Sequence, residues 1–441
     1  MTDGALHSGT VGPDLASGRS AARREVAPYT RSAEIAAPLV CLLTGSFYPV
    51  VGGGETHARL LCAELRRRGM QVFVLTRRRL KTAPAFEVDD DTPVHRVPPA
   101  GVPRLGKYLM MPAAFVHLVR MRNEYDVIYV CGLRILGIVG ALAARLLGKR
   151  CVLRSESRGE LSGSFIWERM DSRRNPLLKV LFKPAIWLRN LVLKKADTFL
   201  SISGVIREEY EACGVAASRI ASIANGIDTS RFAPVAERER NAVRRRLNLP
   251  EGRLFVYTGK LNRGKGLEFL VRVWHRWAGS HPDCKLVLVG SGAQQFLSCE
   301  RELRDYVQAN GLASSVLFAG SVSNVHEYLH AADFFLFPSE CEALPLALLE
   351  ALSTGLPTVA SDIGGIRDIV TDSRDGRLAP PNDERAWLAA LDELCGQPDR
   401  VREWGVRGRD TVLNRFSIGF VADRHVALFR AVCAGREGGA A

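Results

Sequence analysis

The run Gln71-Val-Phe-Val-Leu-Thr76 is continuously apolar between two polar ends. A strand with one wet face alternates apolar and polar side chains, so this unbroken run fits a strand covered on both faces, as in a parallel sheet. The same signal recurs outward from it. Leu39–Thr44 precedes it across a helical pattern from Glu55 to Arg68, and Asp126–Cys131, Arg150–Ser155, Thr198–Ser203 and Ile220–Ala224 follow. Strand-like runs alternating with helical patterns predict a doubly wound domain. Between Thr229 and Arg253 the rhythm breaks into Pro234, the charged runs Glu237-Arg-Glu-Arg240 and Arg244-Arg-Arg246, and the turn Leu249-Pro-Glu-Gly252, which places a linker there. Leu254–Thr258, Lys285–Val289, Val316–Phe318, Phe334–Phe337 and Pro357–Ser361 then predict a second domain of the same kind. The expected α/β organisation is a disordered tail over 1–38, a Rossmann-like domain over 39–232, another over 233–415, and a C-terminal helix within 416–441 docking back on the first domain. The carboxyl ends of both sets of strands would face each other across a cleft, where open parallel sheets hold ligands.

The chain has 441 residues with 60 Lys and Arg against 47 Asp and Glu, a net charge of +13. That length favours two domains and a sizeable core over one small module, and ordinary composition excludes wholesale disorder. The basic balance suits a polyanion, an anionic membrane surface or a phosphorylated small molecule. Ten scattered cysteines without a Cys-x-x-Cys pair suggest neither a zinc site nor a disulfide framework, so a reducing cytoplasm is expected. The N-terminal stretch lacks the apolar centre of a signal peptide, and the longest apolar stretch, Ile135 to Leu147, is interrupted by Arg145 and too short to span a bilayer.

Chemistry concentrates in the strand-to-helix turns. Phe47-Tyr-Pro-Val-Val-Gly-Gly-Gly-Glu-Thr-His57 combines consecutive glycines with a helix start, a place for an anion, although a plain tight turn has the same composition. Val256-Tyr-Thr-Gly-Lys-Leu-Asn-Arg-Gly-Lys-Gly266 brings Lys260, Arg263 and Lys265 to a strand end, where they could neutralise a diphosphate or form a solvated basic loop. In Pro338-Ser-Glu-Cys-Glu-Ala-Leu-Pro-Leu-Ala-Leu-Leu-Glu350, a helical reading puts Glu342 at the tip and Glu350 on the same face among leucines. A carboxylate there needs a partner, either ligand hydroxyls or an ion pair. The spaced glycines of a nicotinamide-binding turn are missing, and no aromatic or metal motif of a nucleic-acid binder accompanies the charge.

These motifs resemble the retaining family-4 glycosyltransferases of the GT-B fold. The resemblance runs from about residue 39 to about residue 430 through Gly52-Gly-Gly-Glu55, Asn225-Gly-Ile-Asp228 with Phe232 and Pro234, Gly259-Lys-Leu261 with Lys265-Gly266, the Glu342/Glu350 pair, and Ser361-Asp-Ile-Gly-Gly365. It implies transfer of a sugar, with retention, from a nucleotide-diphosphate sugar on the second domain to an acceptor hydroxyl on the first, in polysaccharide or glycolipid assembly. A non-catalytic sugar-nucleotide-binding or scaffolding relative is the alternative. By position, Lys260 and Lys265 would hold the diphosphate without metal or cofactor, with the backbone of Gly53 closing from the other domain. Glu342 would stand beside the donor sugar. The backbone of Leu344, Pro345 and Leu346 would reach its hydroxyls and phosphate, Glu350 the ribose, and the Val322 backbone the nucleobase.

The chain departs from the family's pattern at four positions. Lys260 replaces an arginine and loses the planar two-pronged hydrogen bond. Ala343 replaces a glycine and Asp368 a glutamate. Cys131, closing Asp126-Val-Ile-Tyr-Val-Cys131, stands where a frequent histidine lines the donor sugar, so Glu156, Ser157 or Glu160 is expected at the reaction centre instead. His57 is another candidate there, or a capping or packing residue. Arg173 to Lys195, rich in leucine, lysine and arginine, reads as cationic and amphipathic. With Arg66-Arg-Arg68, Arg77-Arg-Arg79, Lys81 and Arg104 it could hold the first domain on an anionic cytoplasmic membrane face, within reach of a sugar or lipid-linked acceptor, or it is a core helix of that domain with its lysines on the wet side.

Overall fold

A computed structural model describes residues 37–102, 105–164, 176–293, 295 and 297–435. The tail expected over 1–38, apart from its last two residues, lies outside the described residues, as do 436–441, Arg104 and the first residues of the amphipathic segment. Two sheets organise the rest. The first contains β1 (Val40–Thr44), β2 (Val72–Arg77), β3 (Phe86–Asp89), β4 (Thr92–Val97), β5 (Val127–Cys131), β6 (Arg150–Arg154), β7 (Thr198–Ser201) and β8 (Ile220–Ser222). Their spatial order is β3-β4-β2-β1-β5-β6-β7-β8. All pairs are parallel except β3 with β4. The second contains β9 (Arg253–Thr258), β10 (Cys284–Val289), β11 (Val316–Gly320), β12 (Phe334–Phe337), β13 (Thr358–Ser361) and β14 (Arg377–Ala379), in the order β11-β10-β9-β12-β13-β14 and parallel throughout. This is the doubly wound architecture expected for both halves.

The opening run supplies β2, every residue of which is buried, because helices cover both faces. Three strands went unread in the sequence: β3 and β4, which form a hairpin, and β14. β3 is a short edge strand with half-exposed side chains, and its turn uses Asp90 and Asp91 at positive φ (48° and 59°) in place of the usual Asn-Gly. The expected linker contains a helix, Glu237–Arg246. Its first turn is acidic and its last basic, matching the helix dipole, and Arg240 and Arg244 anchor it on Asp333 before β12 at 3.2 and 2.7 Å.

The final helix, Ile418–Ala434, opens on Ser417, whose side chain caps the Phe420 amide. It lies on the first sheet's layer: Arg68 pairs with Asp423 at 2.6 Å, and the Tyr129 hydroxyl of β5 meets His425 Nε2 at 3.2 Å. Val421, His425 and Phe429 are buried there, whereas Phe420 points outward. Among the described residues no helix is long and apolar enough to cross a membrane.

Candidate active site

In the second sheet the strand order reverses between β9 and β12, so strands distant in sequence are neighbours, with Phe334 beside Phe255 and Phe335 beside Val256. A crevice opens at such a switch point because the flanking loops leave in opposite directions. The loop after β9 carries Lys260 and Lys265, and the loop after β12 carries Glu342. Gly266, at φ +67°, lets the first pass so close to the second that a Cβ there would collide with the Pro338 carbonyl. The Glu340 amide donates to the Gly264 carbonyl at 3.0 Å. Lys265 Nζ thereby reaches Glu342 Oε1 at 2.5 Å, with side chains 30% and 12% exposed. A third loop supports the pair from behind, since a Cβ at Gly365 would strike the carbonyls of Glu342 and Ala343. Lys260 is not drawn in: its side chain is exposed, and its carbonyl accepts from the Tyr257 hydroxyl at 3.2 Å.

The expectation that Glu342 and Glu350 share a helix face is corrected. The helix runs only over Leu346–Ser353, with extended Pro345 at its cap position, because a proline disfavours helical backbone in the residue before it. Glu342 therefore sits in the preceding loop against Lys265. Glu350 instead lines a 740 Å³ cavity between the two sheets' layers, together with Val322, Leu346, Arg231, Gly226 and Tyr48. Burial pushes the Glu350 carboxyl up to about 7, partly opposed by the Arg231 guanidinium. Among the described residues no side chain or amide hydrogen-bonds to it. Lys260, Lys265 and Glu342 do not line this cavity.

The first sheet reverses at β1 and β5. Gly53 opens the helix Gly53–Arg67, and a Cβ there would lie 3.5 Å from Leu346 Cδ1, so the helix starts at Gly53 and Leu346 face each other. Among the described residues neither start is capped by a side chain, which leaves backbone N–H groups of both for an anion.

The three replacements expected for the family histidine part company. Glu160 is buried, pushed up to about 7 by burial against the pull of Arg134, and accepts from the Ser157 hydroxyl at 3.1 Å. Ser157 is half-buried, and Glu156 is exposed, standing beside Gly54 and Gly132. Cys131 is buried, its thiol pushed up to about 11 by desolvation although Arg154 pulls it down. His57 is a packing residue: buried, its Nδ1 3.2 Å from the Gly226 backbone, and held well below the usual histidine range by burial and by the charges of Arg154 and His425.

Sequence reading did not single out Arg154, Asn225 or Glu209. Buried Arg154 donates to Asn225 Oδ1, and Asn225 Nδ2 donates to the Leu344 carbonyl at 3.4 Å, so one chain of contacts joins the end of β6 to the Glu342 loop. Glu209 accepts from the amides of Gly159, Leu161 and Ser162 at 2.6, 2.9 and 2.9 Å, fixing the loop that carries Glu156. Asn225 lies in the Asn-Gly-Ile-Asp motif, which offered a signal; Glu209 had none. Among the described residues no group of three or more His, Cys, Asp or Glu side chains is placed to hold a metal ion.

The family described as Glycosyltransferase Family 4 matches residues 51–231, and the one described as Glycosyl transferases group 1 matches 252–397. The alpha-maltose-1-phosphate synthase of Mycolicibacterium smegmatis is 29% identical over 424 residues, covering 90% of this chain and all (100%) of that protein. A GDP-mannose-dependent alpha-mannosyltransferase of Mycobacterium tuberculosis is 28% identical, covering 82% of this chain and 97% of that one. The crystal structure of Anabaena HepE in complex with UDP and glucose superposes with a TM-score of 0.71 at 17% identity, covering 89% of this chain and 100% of that one.

Proposed function

This chain belongs to the group 1, family 4 glycosyltransferases of the GT-B fold, and from that premise we propose that it transfers a sugar from a nucleotide-diphosphate donor to an acceptor hydroxyl with retention of configuration. The observation that carries this reading is the meeting of two helix starts, at Gly53 and Leu346, the second of them entered from the loop on which Glu342 pairs with Lys265. A diphosphate seated there receives backbone N–H groups from both sides and the Lys265 ammonium, while exposed Lys260 closes over it from solvent. Charge developing on the departing nucleotide is met by lysines and dipoles, with no step assigned to a metal.

Arrival of the diphosphate gives Lys265 a second anion to serve, and frees Glu342 to accept hydrogen bonds from the sugar. Leu344, Pro345 and Leu346 supply the backbone beside it. Glu350, desolvated and without a hydrogen-bond partner among the described residues, takes the ribose hydroxyls, and Val322 in the same cavity borders the base. The mycobacterial relatives, a maltose-1-phosphate synthase and a GDP-mannose-dependent mannosyltransferase, support polysaccharide or glycolipid assembly as the setting.

A binding and turnover screen across uridine, adenosine and guanosine diphosphate sugars tests this reading. One class is expected to bind and to be slowly hydrolysed, with the released sugar keeping its anomeric configuration by NMR. Binding without turnover under every acceptor supports the scaffolding alternative, and binding of none refutes the donor reading.

The same reading includes attachment to the cytoplasmic membrane face. On the helix Pro176–Leu193, Trp187 and Leu188 are 64% and 62% exposed, with exposed Lys183 and Lys195 nearby. Flotation with vesicles containing anionic lipid is expected to carry the protein upward, and flotation indifferent to anionic lipid refutes attachment.

A further inference from the structure

The first sheet's switch point holds a carboxylate that the donor reading above leaves unused. Glu156 follows the end of β6, and its side chain is 40% exposed. A Cβ on Gly54 would lie 3.0 Å from its Oε1, and a Cβ on Gly132 would lie 3.6 Å from its Oε2. Those two positions follow β1 and β5, the strands between which the sheet order reverses. Both are glycine, and the space their missing side chains leave is where the carboxylate sits. Beneath it lies the buried Arg154 guanidinium, with Nη1 3.9 Å from Oε1 and no hydrogen-bond partner at that nitrogen among the described residues. A charge so placed holds the carboxylate over the glycines without closing off its outward lone pairs.

Its position relative to the second domain decides what it meets. Gly54 adjoins Gly53, which packs on Leu346, and Arg154 reaches the Leu344 carbonyl through Asn225. The second-domain residues nearest to Glu156 in this chain of contacts are thus those of the Glu342–Leu346 loop. We propose that Glu156 binds the transferred sugar, accepting hydrogen bonds from its hydroxyls on the first-domain side, opposite Glu342. Cys131 is buried with its thiol engaged by Arg154 and Tyr129, and Ser157 and Glu160 are turned to each other and to Arg134. This assignment rests on the donor reading and adds a sugar-recognising residue to it.

The test uses the full chain, the nucleotide sugar that binds in the screen and its free nucleoside diphosphate, with affinities measured by calorimetry. For Glu156→Gln the free diphosphate is expected to bind within twofold of the unaltered protein, and the nucleotide sugar about tenfold more weakly, the scale of a charge-assisted hydrogen bond. Glu156→Asp, which keeps the charge on a shorter arm, recovers part of that loss. Equal weakening of both ligands overturns the proposal by showing a general structural role. Unchanged affinity for both overturns it too, and if transfer alone then falls, the carboxylate serves the acceptor. Should Glu156→Gln melt early, Gly54→Ala displaces the same carboxylate by steric contact and must give the same selective loss. If the unaltered protein binds no nucleotide sugar, the donor reading fails first and this assignment with it.

Discussion

Replacing Glu350 with glutamine removes one titrating group from the 740 Å³ cavity and nearly nothing from its shape. The carboxyl is held up to about 7 because the cavity strips it of water and among the described residues no donor bonds it. If ribose hydroxyls are its partners, the ionised form binds the donor best, since a carboxylate offers both oxygens as charged acceptors to the two hydroxyls. With a pKa of about 7, roughly a tenth of the molecules are ionised at pH 6 and roughly nine tenths at pH 8. Donor affinity should therefore rise about tenfold over that interval, with close to one proton released per molecule bound at pH 6. A nucleotide sugar suits the assay because its diphosphate diester does not titrate there. Calorimetry at pH 6, 7 and 8, in buffers of different ionisation enthalpy, reads both quantities. In Glu350→Gln the slope and the proton release should vanish. The reasoning is refuted if the variant keeps the slope or the unaltered protein has none.

The same shift makes a stability prediction. A carboxyl whose folded pKa exceeds its unfolded value of about 4.3 favours the fold below that value, and the benefit is lost as pH rises through about 7. Without ligand, Glu350→Gln should thus be more stable than the unaltered protein at pH 8, by on the order of 1–3 kcal/mol, and little different at pH 4.5, as read from urea midpoints. Lys265→Ala, which breaks the 2.5 Å pair with Glu342, should lower kcat/KM for the donor about 10²-fold with the fold retained by circular dichroism; a loss under threefold sinks the role given to it. Gly365→Ala drives a methyl into the carbonyls of Glu342 and Ala343, so turnover should fall while the free diphosphate still binds. Asn225→Ala leaves buried Arg154 without its carbonyl partner and should cost about 1.5–3 kcal/mol in urea unfolding; an unchanged midpoint contradicts the contact.

Periodicity reaches a long way in this chain because each β strand is local. β2, β5 and β12 are legible as unbroken apolar runs, and their alternation with helices implies parallel sheets. The edge elements escaped because they lack that signal: β3 is half exposed, and β14 has only three residues. Glu342, Glu350 and Lys265 could be singled out from motif spacing, but the helix drawn through both glutamates could not survive Pro345, and the two carboxylates occupy different surroundings.

The sequence by itself determined two doubly wound layers, their order along the chain, and the turns that hold charged residues, since all of these follow from short-range patterns of burial and backbone freedom. Only the tertiary structure decided which turns meet. The reversals of strand order place Lys265 against Glu342 and Gly53 against Leu346, and set Glu156 over two glycines that follow other strands. Such pairings depend on crossover connections and close backbone approach between residues far apart in the chain, and no local pattern encodes them.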